Sequence, residues 1–191
     1  IILILSSTYY YFNDFSHWHM NASTQINASI FQAVSPRTAG FNTVDLTKLT
    51  ESSILFMTLL MLIGGSPGST AGGFKTTTLA VLVLSIRAVF NHKQNPQCFA
   101  RRIPTDTLNS AAALFTLYMI LLFTGTFLIA SIDKLPILTT MFEVASAVGT
   151  VGSTLGVTPS LSAISHCILI FLMFFGRVGG LTLLLAISKR Q

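Results

Sequence analysis

The chain has 191 residues, of which 51% are hydrophobic and only 9% charged, whereas a soluble domain carries about 25% charged residues. That composition excludes an ordinary soluble enzyme or binding module and implies an integral membrane protein. The net charge of +5 does not imply a nucleic-acid partner, because in a membrane protein the placement of lysine and arginine carries topology. The charge-free stretches 52–74, 107–132 and 144–176 each exceed the roughly 20 residues needed to cross the hydrocarbon core.

In chain order, Ile1–Leu5 starts mid-hydrophobic, with no Met and no basic lead-in, and is expected to be the end of a truncated transmembrane helix. Residues 6–25 are aromatic and polar (Tyr9, Tyr10, Tyr11, Phe12, Trp18), as in an external interfacial belt. Asn21-Ala22-Ser23 and Asn27-Ala28-Ser29 match the glycosylation sequon, a pattern common by chance. Ile26–Val34 is apolar but too short to span, and Pro36 is expected to force Ser35 out of helical geometry and end a short helix.

Leu49–Arg87 is hydrophobic at both ends and interrupted at Gly64-Gly65-Ser66-Pro67-Gly68-Ser69-Thr70-Ala71-Gly72-Gly73-Phe74-Lys75. Five glycines and one proline in those twelve residues cannot sustain a regular helix. A polar connection over 86–104 carries Arg87, Lys93, Arg101 and Arg102, and the C-terminus carries Lys189 and Arg190. The opposite loops hold Asp14, His17 and His19, and Asp133 with Lys134. The positive-inside rule therefore places 86–104 and the C-terminus in the cytoplasm of a multi-pass protein of the cell membrane. Thr107–Ile132 predicts a full membrane helix. Pro136–Ala147 predicts a second short one, with Thr140 and Glu143 spaced as a capping box. Leu161–Ile187 predicts the last full helix. Cys98 lies in the polar connection and Cys167 in a membrane segment, so neither a disulfide nor a metal site is expected.

These segments form an internal repeat. At a shift of 112, Ala33 falls on Ala145, Thr38 on Thr150, Gly40 on Gly152, Leu49 on Leu161, Ser53 on Ser165 and Gly64 on Gly176. The expected units are 1–95, a connection over 96–106, and 107–191. After each short helix comes a Thr-x-Gly loop: Thr38-Ala39-Gly40-Phe41 and Thr150-Val151-Gly152-Ser153. Non-helical backbone at membrane depth must be buried in protein or line an aqueous cavity. Such a run can aim carbonyl oxygens at one axis, the way potassium filters replace an ion's hydration shell. The end of each short helix, carrying about half a negative charge, favours a cation beyond it. The bland alternative is a glycine-rich turn that only packs helices.

A phosphate-binding loop at Gly64–Lys75 is disfavoured, since Phe74 stands where that motif needs lysine and no strand precedes it. Arg177, the only charge between Val144 and Ser188, lies about 24 Å into the membrane counted from Leu161. An intramembrane charge is a functional hypothesis by default, with a buried structural arginine as its alternative. Arg37 and Glu143 are the charges nearest the two loops and are expected to brace them, with each other as candidate partners. His166 and Cys167 read as packing, and no arrangement of residues suggests catalysis.

The run Ser35-Pro36-Arg37-Thr38-Ala39-Gly40-Phe41-Asn42-Thr43, followed by Gly65-Ser66-Pro67-Gly68-Ser69-Thr70-Ala71-Gly72-Gly73-Phe74-Lys75-Thr76-Thr77-Thr78, resembles the membrane subunit of Ktr-type potassium transporters in the Trk/Ktr/HKT superfamily. The resemblance implies four covalently linked helix–pore loop–helix units around one pore, of which this chain supplies the third and fourth. The expected fold is all-α and membrane-embedded, with two such repeats, short re-entrant pore helices and a broken second helix in the first repeat. The implied selectivity filter comprises Thr38, Ala39, Gly40, Phe41, Thr150, Val151, Gly152 and Ser153, with K+ there and nowhere else. The implied gate comprises Gly64, Gly65, Ser66, Pro67, Gly68, Ser69, Thr70, Ala71, Gly72, Gly73 and Lys75, with Arg177 beneath the filter. The resemblance also implies the missing N-terminal half, a homodimer and a separate cytosolic nucleotide-binding regulatory subunit as partners within the lipid bilayer. No cofactor is expected, with Na+ open as a coupling ion. Two rivals stand: a Na+-conducting relative, and a secondary transporter whose broken helices bind an anionic substrate.

Overall fold

The structure is a computed structural model, described over residues 1–18, 20–91, 96–98 and 101–178. Expectations involving His19, Lys93, Gly179, Gly180, Lys189, Arg190 and the end of the last helix lie outside the described residues.

Helix α1 (Ile2–Asn13) continues through the tyrosines of the expected interfacial belt. Their rings find helix-facing partners: Tyr10 is fully buried, and Tyr9 and Tyr10 pack on Phe56 at 4.5 and 5.8 Å between ring centres. Helix α2 (Ala22–Val34) starts earlier than the apolar pattern suggested, with Asn21 in the extended N-cap position. It ends before Pro36 as expected, but Ser35 keeps right-handed helical dihedrals (φ −53°, ψ −42°). The amide of Ser35 still donates to Phe31, which offsets the steric bias against that geometry before proline. What stops the helix is the next residue, where proline has no N–H to continue the ladder.

Helices α3 (Glu51–Leu62) and α4 (Thr76–Phe90) are the two halves of the broken helix. Between them a parallel bridge joins Ile63 to Phe74. The Gly64 amide donates to Phe74 O at 2.9 Å and the Phe74 amide to Leu62 O at 3.0 Å. The loop therefore leaves and re-enters at one pinned neck. Phe74 anchors that neck, buried edge-on against Phe115 and Tyr118.

A two-residue antiparallel pair, β1 (Gln97–Cys98) with β2 (Arg101–Arg102), lies in the polar connection, a minor departure from an all-α chain. Helix α5 (Thr105–Asp133) has 29 residues, about 43 Å at 1.5 Å per residue. Among the described residues it is the one helix long and apolar enough to cross a membrane. The other two long charge-free stretches are not single spans: 52–74 breaks after Leu62, and 144–176 runs from the end of one helix through a loop into the next.

Helix α6 (Ile137–Val148) is the hub. It packs against α3, α5 and α7 (Ala163–Val178), and eight of its twelve residues are buried. Its neighbour α5 narrows at Gly125, where an added Cβ would meet Leu172 and Val144. Phe127 of α5 and Ile170 and Phe174 of α7 face outward at 60–75% exposure, an apolar surface of the kind lipid covers.

One device occurs twice. Asp14, just past α1, is buried and accepts hydrogen bonds from the Thr50 amide (3.0 Å) and the Ser53 hydroxyl at the start of α3. Asp133, at the end of α5, accepts from the Ser162 amide (3.2 Å) at the start of α7. Thr50 and Ser162 in turn cap Ser53 and Ser165 through their side chains. Each acid thus ties the end of one long helix to the orphan amides opening another. Asp14→Ala should lower unfolding stability by about 2 kcal/mol, since it removes the acceptor of the Thr50 amide and of the buried Ser53 hydroxyl. Asp133→Ala, at a more exposed site, should do less. Thermal unfolding in detergent measures the order.

Candidate functional site

The Thr-x-Gly loops follow the C-terminal ends of α2 and α6. The left-handed region is uncommon for residues with a Cβ, yet Thr38 (φ +63°) and Thr150 (φ +51°) both occupy it. Gly40 (φ +72°) and Gly152 (φ +90°) follow in the same register. Threonine there costs about 1–2 kcal/mol, so both loops hold strain at positions 112 residues apart.

The hydrogen bonding shows what this geometry does. The amides of Ala39 and Gly40 turn back to Ser35 O at 3.2 and 3.1 Å. Those of Thr150 and Val151 turn back to Ala147 O and Ser146 O at 3.1 and 2.9 Å, and that of Gly152 to Ser146 Oγ at 3.1 Å. The donors satisfy the orphan carbonyls at the helix ends. Among the described residues, no hydrogen bond engages the carbonyl oxygens of Thr38, Ala39, Gly40, Thr150, Val151 or Gly152. Ala39 and Gly152 are exposed, Thr38, Gly40 and Thr150 are half-buried and Val151 is buried, so six carbonyls on two strained loops are free to ligate a cation.

The loops approach each other backbone to backbone. A Cβ added to Gly40 would run into Val151 O. Residues 150–154 line a cavity of about 430 Å3 together with Glu143, Ser146 and Thr158. Phe41 is 70% exposed, with its carbonyl taken by the Ser35 hydroxyl. Ser153 is buried, and its hydroxyl lacks a partner among the described residues.

Glu143 braces the second loop. Its Oε1 accepts from Thr154 Oγ1 (2.6 Å) and the Leu155 amide (2.9 Å), and its Oε2 from Thr158 Oγ1 (2.7 Å). This replaces the capping box expected with Thr140. The helix begins three residues earlier at Ile137, and the Thr140 hydroxyl donates instead to Pro136 O at 3.0 Å. Glu143 and Arg37 do not pair either, since three donors from its own loop occupy the carboxylate. Arg37 is half-buried, with Nε and Nη2 unpartnered among the described residues.

Beneath the loops, the break between α3 and α4 meets the second loop directly. A Cβ on Gly72 would strike Thr150 Oγ1 and lie 2.7 Å from Gly149 O. On Gly176 of α7 it would strike Val148 O and lie 3.2 Å from Thr150 Cγ2. Gly176 precedes Arg177, whose Nη1 donates to Thr70 O at 2.9 Å. Lys75 Nζ donates to Ser69 O (3.0 Å) and Ala71 O (2.6 Å). Arg177 and Lys75, both in the gate set that the resemblance implies, thus contact carbonyls of this loop, Arg177 from α7 and Lys75 from the loop's own end. A Cβ added at Gly64, Gly65 or Gly73 would meet the loop or its neck, at Gly72, Ser69 and Leu62 respectively, and not the Thr-x-Gly runs.

Residues 2–191 match the family model described as TrkH, cation transport protein. The chain belongs to that family. It is a family of membrane transporters and not of enzymes, and the resemblance to a Trk/Ktr membrane subunit read from the motifs is borne out. Over 173 residues the chain is 39% identical to Ktr system potassium uptake protein B of Bacillus subtilis, covering 91% of this chain and 39% of that protein. It is 37% identical over 163 residues to potassium/sodium uptake protein NtpJ of Enterococcus hirae, covering 83% of this chain and 36% of that one. The potassium transporter TrkH of Vibrio parahaemolyticus shares its fold, with a TM-score of 0.79 at 20% identity over 98% of this chain and 42% of that chain. The TrkH-family chain described here therefore spans about two-fifths of the length of the relatives it matches.

Proposed function

We propose that this chain forms the third and fourth helix–pore loop–helix units of a potassium-translocating membrane subunit, dividing as 1–95, 96–106 and 107–191. The observation that carries the reading is the matched pair of strained Thr-x-Gly loops, whose six free carbonyls face no donor among the described residues. In this reading Thr38–Phe41 and Thr150–Ser153 are half of a filter that dehydrates K+ onto backbone oxygens. The Gly64–Lys75 loop gates the path below it, with Arg177 holding the loop tip. The secondary-transporter rival calls for helix N-termini at the site, whereas α2 and α6 present C-terminal ends to their loops.

The multi-pass orientation with 86–104 and the C-terminus in the cytoplasm rests on the positive-inside rule; the homodimer and the separate nucleotide-binding regulatory subunit rest on the family resemblance. One specific observation favours a second reading. The Enterococcus relative is named a potassium/sodium uptake protein, so conduction of Na+ alongside K+ is the runner-up.

Ion binding tests the reading in the purified full-length protein. A ligand that binds only the folded state raises stability in proportion to RT ln(1 + [L]/Kd). K+ at about 100 Kd is expected to add about 2.7 kcal/mol, read as a higher unfolding midpoint than in Li+. Equal protection by Na+ would favour the runner-up. No difference among the ions would sink the carbonyl-filter assignment.

A further inference from the structure

The loop between α3 and α4 is closed at its neck by backbone bonds, but its tip is held differently. Ser69, Thr70 and Ala71 carry three successive carbonyl oxygens, and each is engaged by a cationic side chain. Arg177 comes from α7 to Thr70 O. Lys75 comes from the loop's own end, with Nζ at 3.0 Å from Ser69 O, 2.6 Å from Ala71 O and 3.5 Å from Ser69 Oγ. Gly72, one residue beyond, abuts Thr150, so the position of the tip bears directly on the space under the second Thr-x-Gly loop.

Lys75 occupies an awkward place for a cation. It is the N-cap residue of α4, makes no side-chain cap bond there, and puts positive charge at the positive end of the helix dipole. Nothing about starting that helix calls for lysine. The carbonyls it reaches do, because an ammonium is a compact charge with three donors and here spends two of them on oxygens two residues apart.

We propose that Lys75 is a positioning residue that clasps the loop in its closed shape, a latch internal to the loop that acts in parallel with the cross-unit latch of Arg177. This rests on the reading of Gly64–Lys75 as the gate. The division of labour is specific. Arg177 ties the tip to α7 and releases it when that helix moves, whereas Lys75 keeps the tip folded on its own neck and travels with it. Opening therefore requires both contacts to give way, and losing either one leaves the gate partly held.

The test uses the full-length protein in vesicles, measuring K+ flux with no activating ligand. Lys75→Met is expected to raise that flux at least roughly tenfold, since the charge-assisted contacts to Ser69 O and Ala71 O are both lost. Lys75→Arg, which keeps the cation and its donors, should stay near the native level. Lys75→Met with Arg177→Met should exceed the product of the two single effects, and K+ over Na+ preference should not move in any of them. Native-like flux in Lys75→Met, alongside raised flux in Arg177→Met, would overturn the latch and leave the gate reading standing. Unchanged flux in both singles and the double, with K+ still protecting against unfolding, would overturn the gate reading itself. If Lys75→Met does not assemble, Lys75→Gln gives the same decision, since a neutral amide with native-like flux would show that the charge is not the latch.

Discussion

Replacing Gly40 by alanine in the full-length protein is expected to abolish K+ uptake, while the same change at Gly152 leaves a reduced but measurable activity. The two glycines share a left-handed backbone, so each substitution carries about 1–2 kcal/mol of strain. Their surroundings differ. The new methyl at Gly40 meets the carbonyl of Val151, and a backbone oxygen cannot swing aside as a flexible side chain can. The loops must separate or Val151 O must turn, and overpacking of this kind costs about 1–3 kcal/mol more. At Gly152 nothing among the described residues lies within 4 Å of the added atom, leaving strain alone. Growth of a potassium-uptake-deficient host at limiting K+, with and without Na+ competition, checks the order. Equal damage at both positions would show that strain alone governs and that the approach of Gly40 to Val151 is incidental.

Glu143→Ala is expected to be the most destabilising single change around the second loop. The buried carboxylate accepts three hydrogen bonds, and bonds to a charged acceptor are worth about 1.5–3 kcal/mol each. Losing them also strands the Leu155 amide, so a loss of roughly 3 kcal/mol or more is expected. Glu143→Gln should be milder. Its carbonyl oxygen can still accept from Leu155 and Thr154, and the Thr158 hydroxyl can turn to accept from the new amide. The measurements are the unfolding midpoint in detergent and K+ over Na+ preference in flux. If Gln and Ala behaved alike, the charge itself would be the essential feature and the count of acceptors would not.

Much of this was legible from sequence because it follows from backbone chemistry. The glycines and proline of 64–73 forced the helix to break, and the shift of 112 that aligns Thr38 with Thr150 also aligns their left-handed dihedrals. A repeat read from letters became a repeat in φ. What stayed hidden depended on which side chains reach across space. Glu143 reaches 11 to 15 residues forward, whereas a spacing rule looks three residues back. Arg37 and Glu143 share a neighbourhood in sequence logic, but the carboxylate is satisfied within its own loop. The paired aspartate ties were partly signalled, since Ser53 and Ser165 already matched at that shift. Asp14 and Asp133 are 119 residues apart, and an ungapped comparison does not register them. The tyrosines of α1 read as interfacial from their polar hydroxyls, and the packing of the Tyr9 and Tyr10 rings on Phe56 depends on a residue more than forty positions away.

The contrast between the two faces of the Thr150 loop has a consequence for inheritance of function. On the outer face the loop is fixed by a buried carboxylate with three donors; on the inner face it touches a segment whose tip carbonyls are engaged by two long cationic side chains. In the proposed pathway, which ion passes and how often it passes are thus written in separate sets of residues. Substitutions at Lys75 or Arg177 can retune throughput to a new habitat without eroding ionic discrimination. Those at Glu143 or Gly40 have no such freedom, so divergence among descendants of this protein should collect on the inner face first.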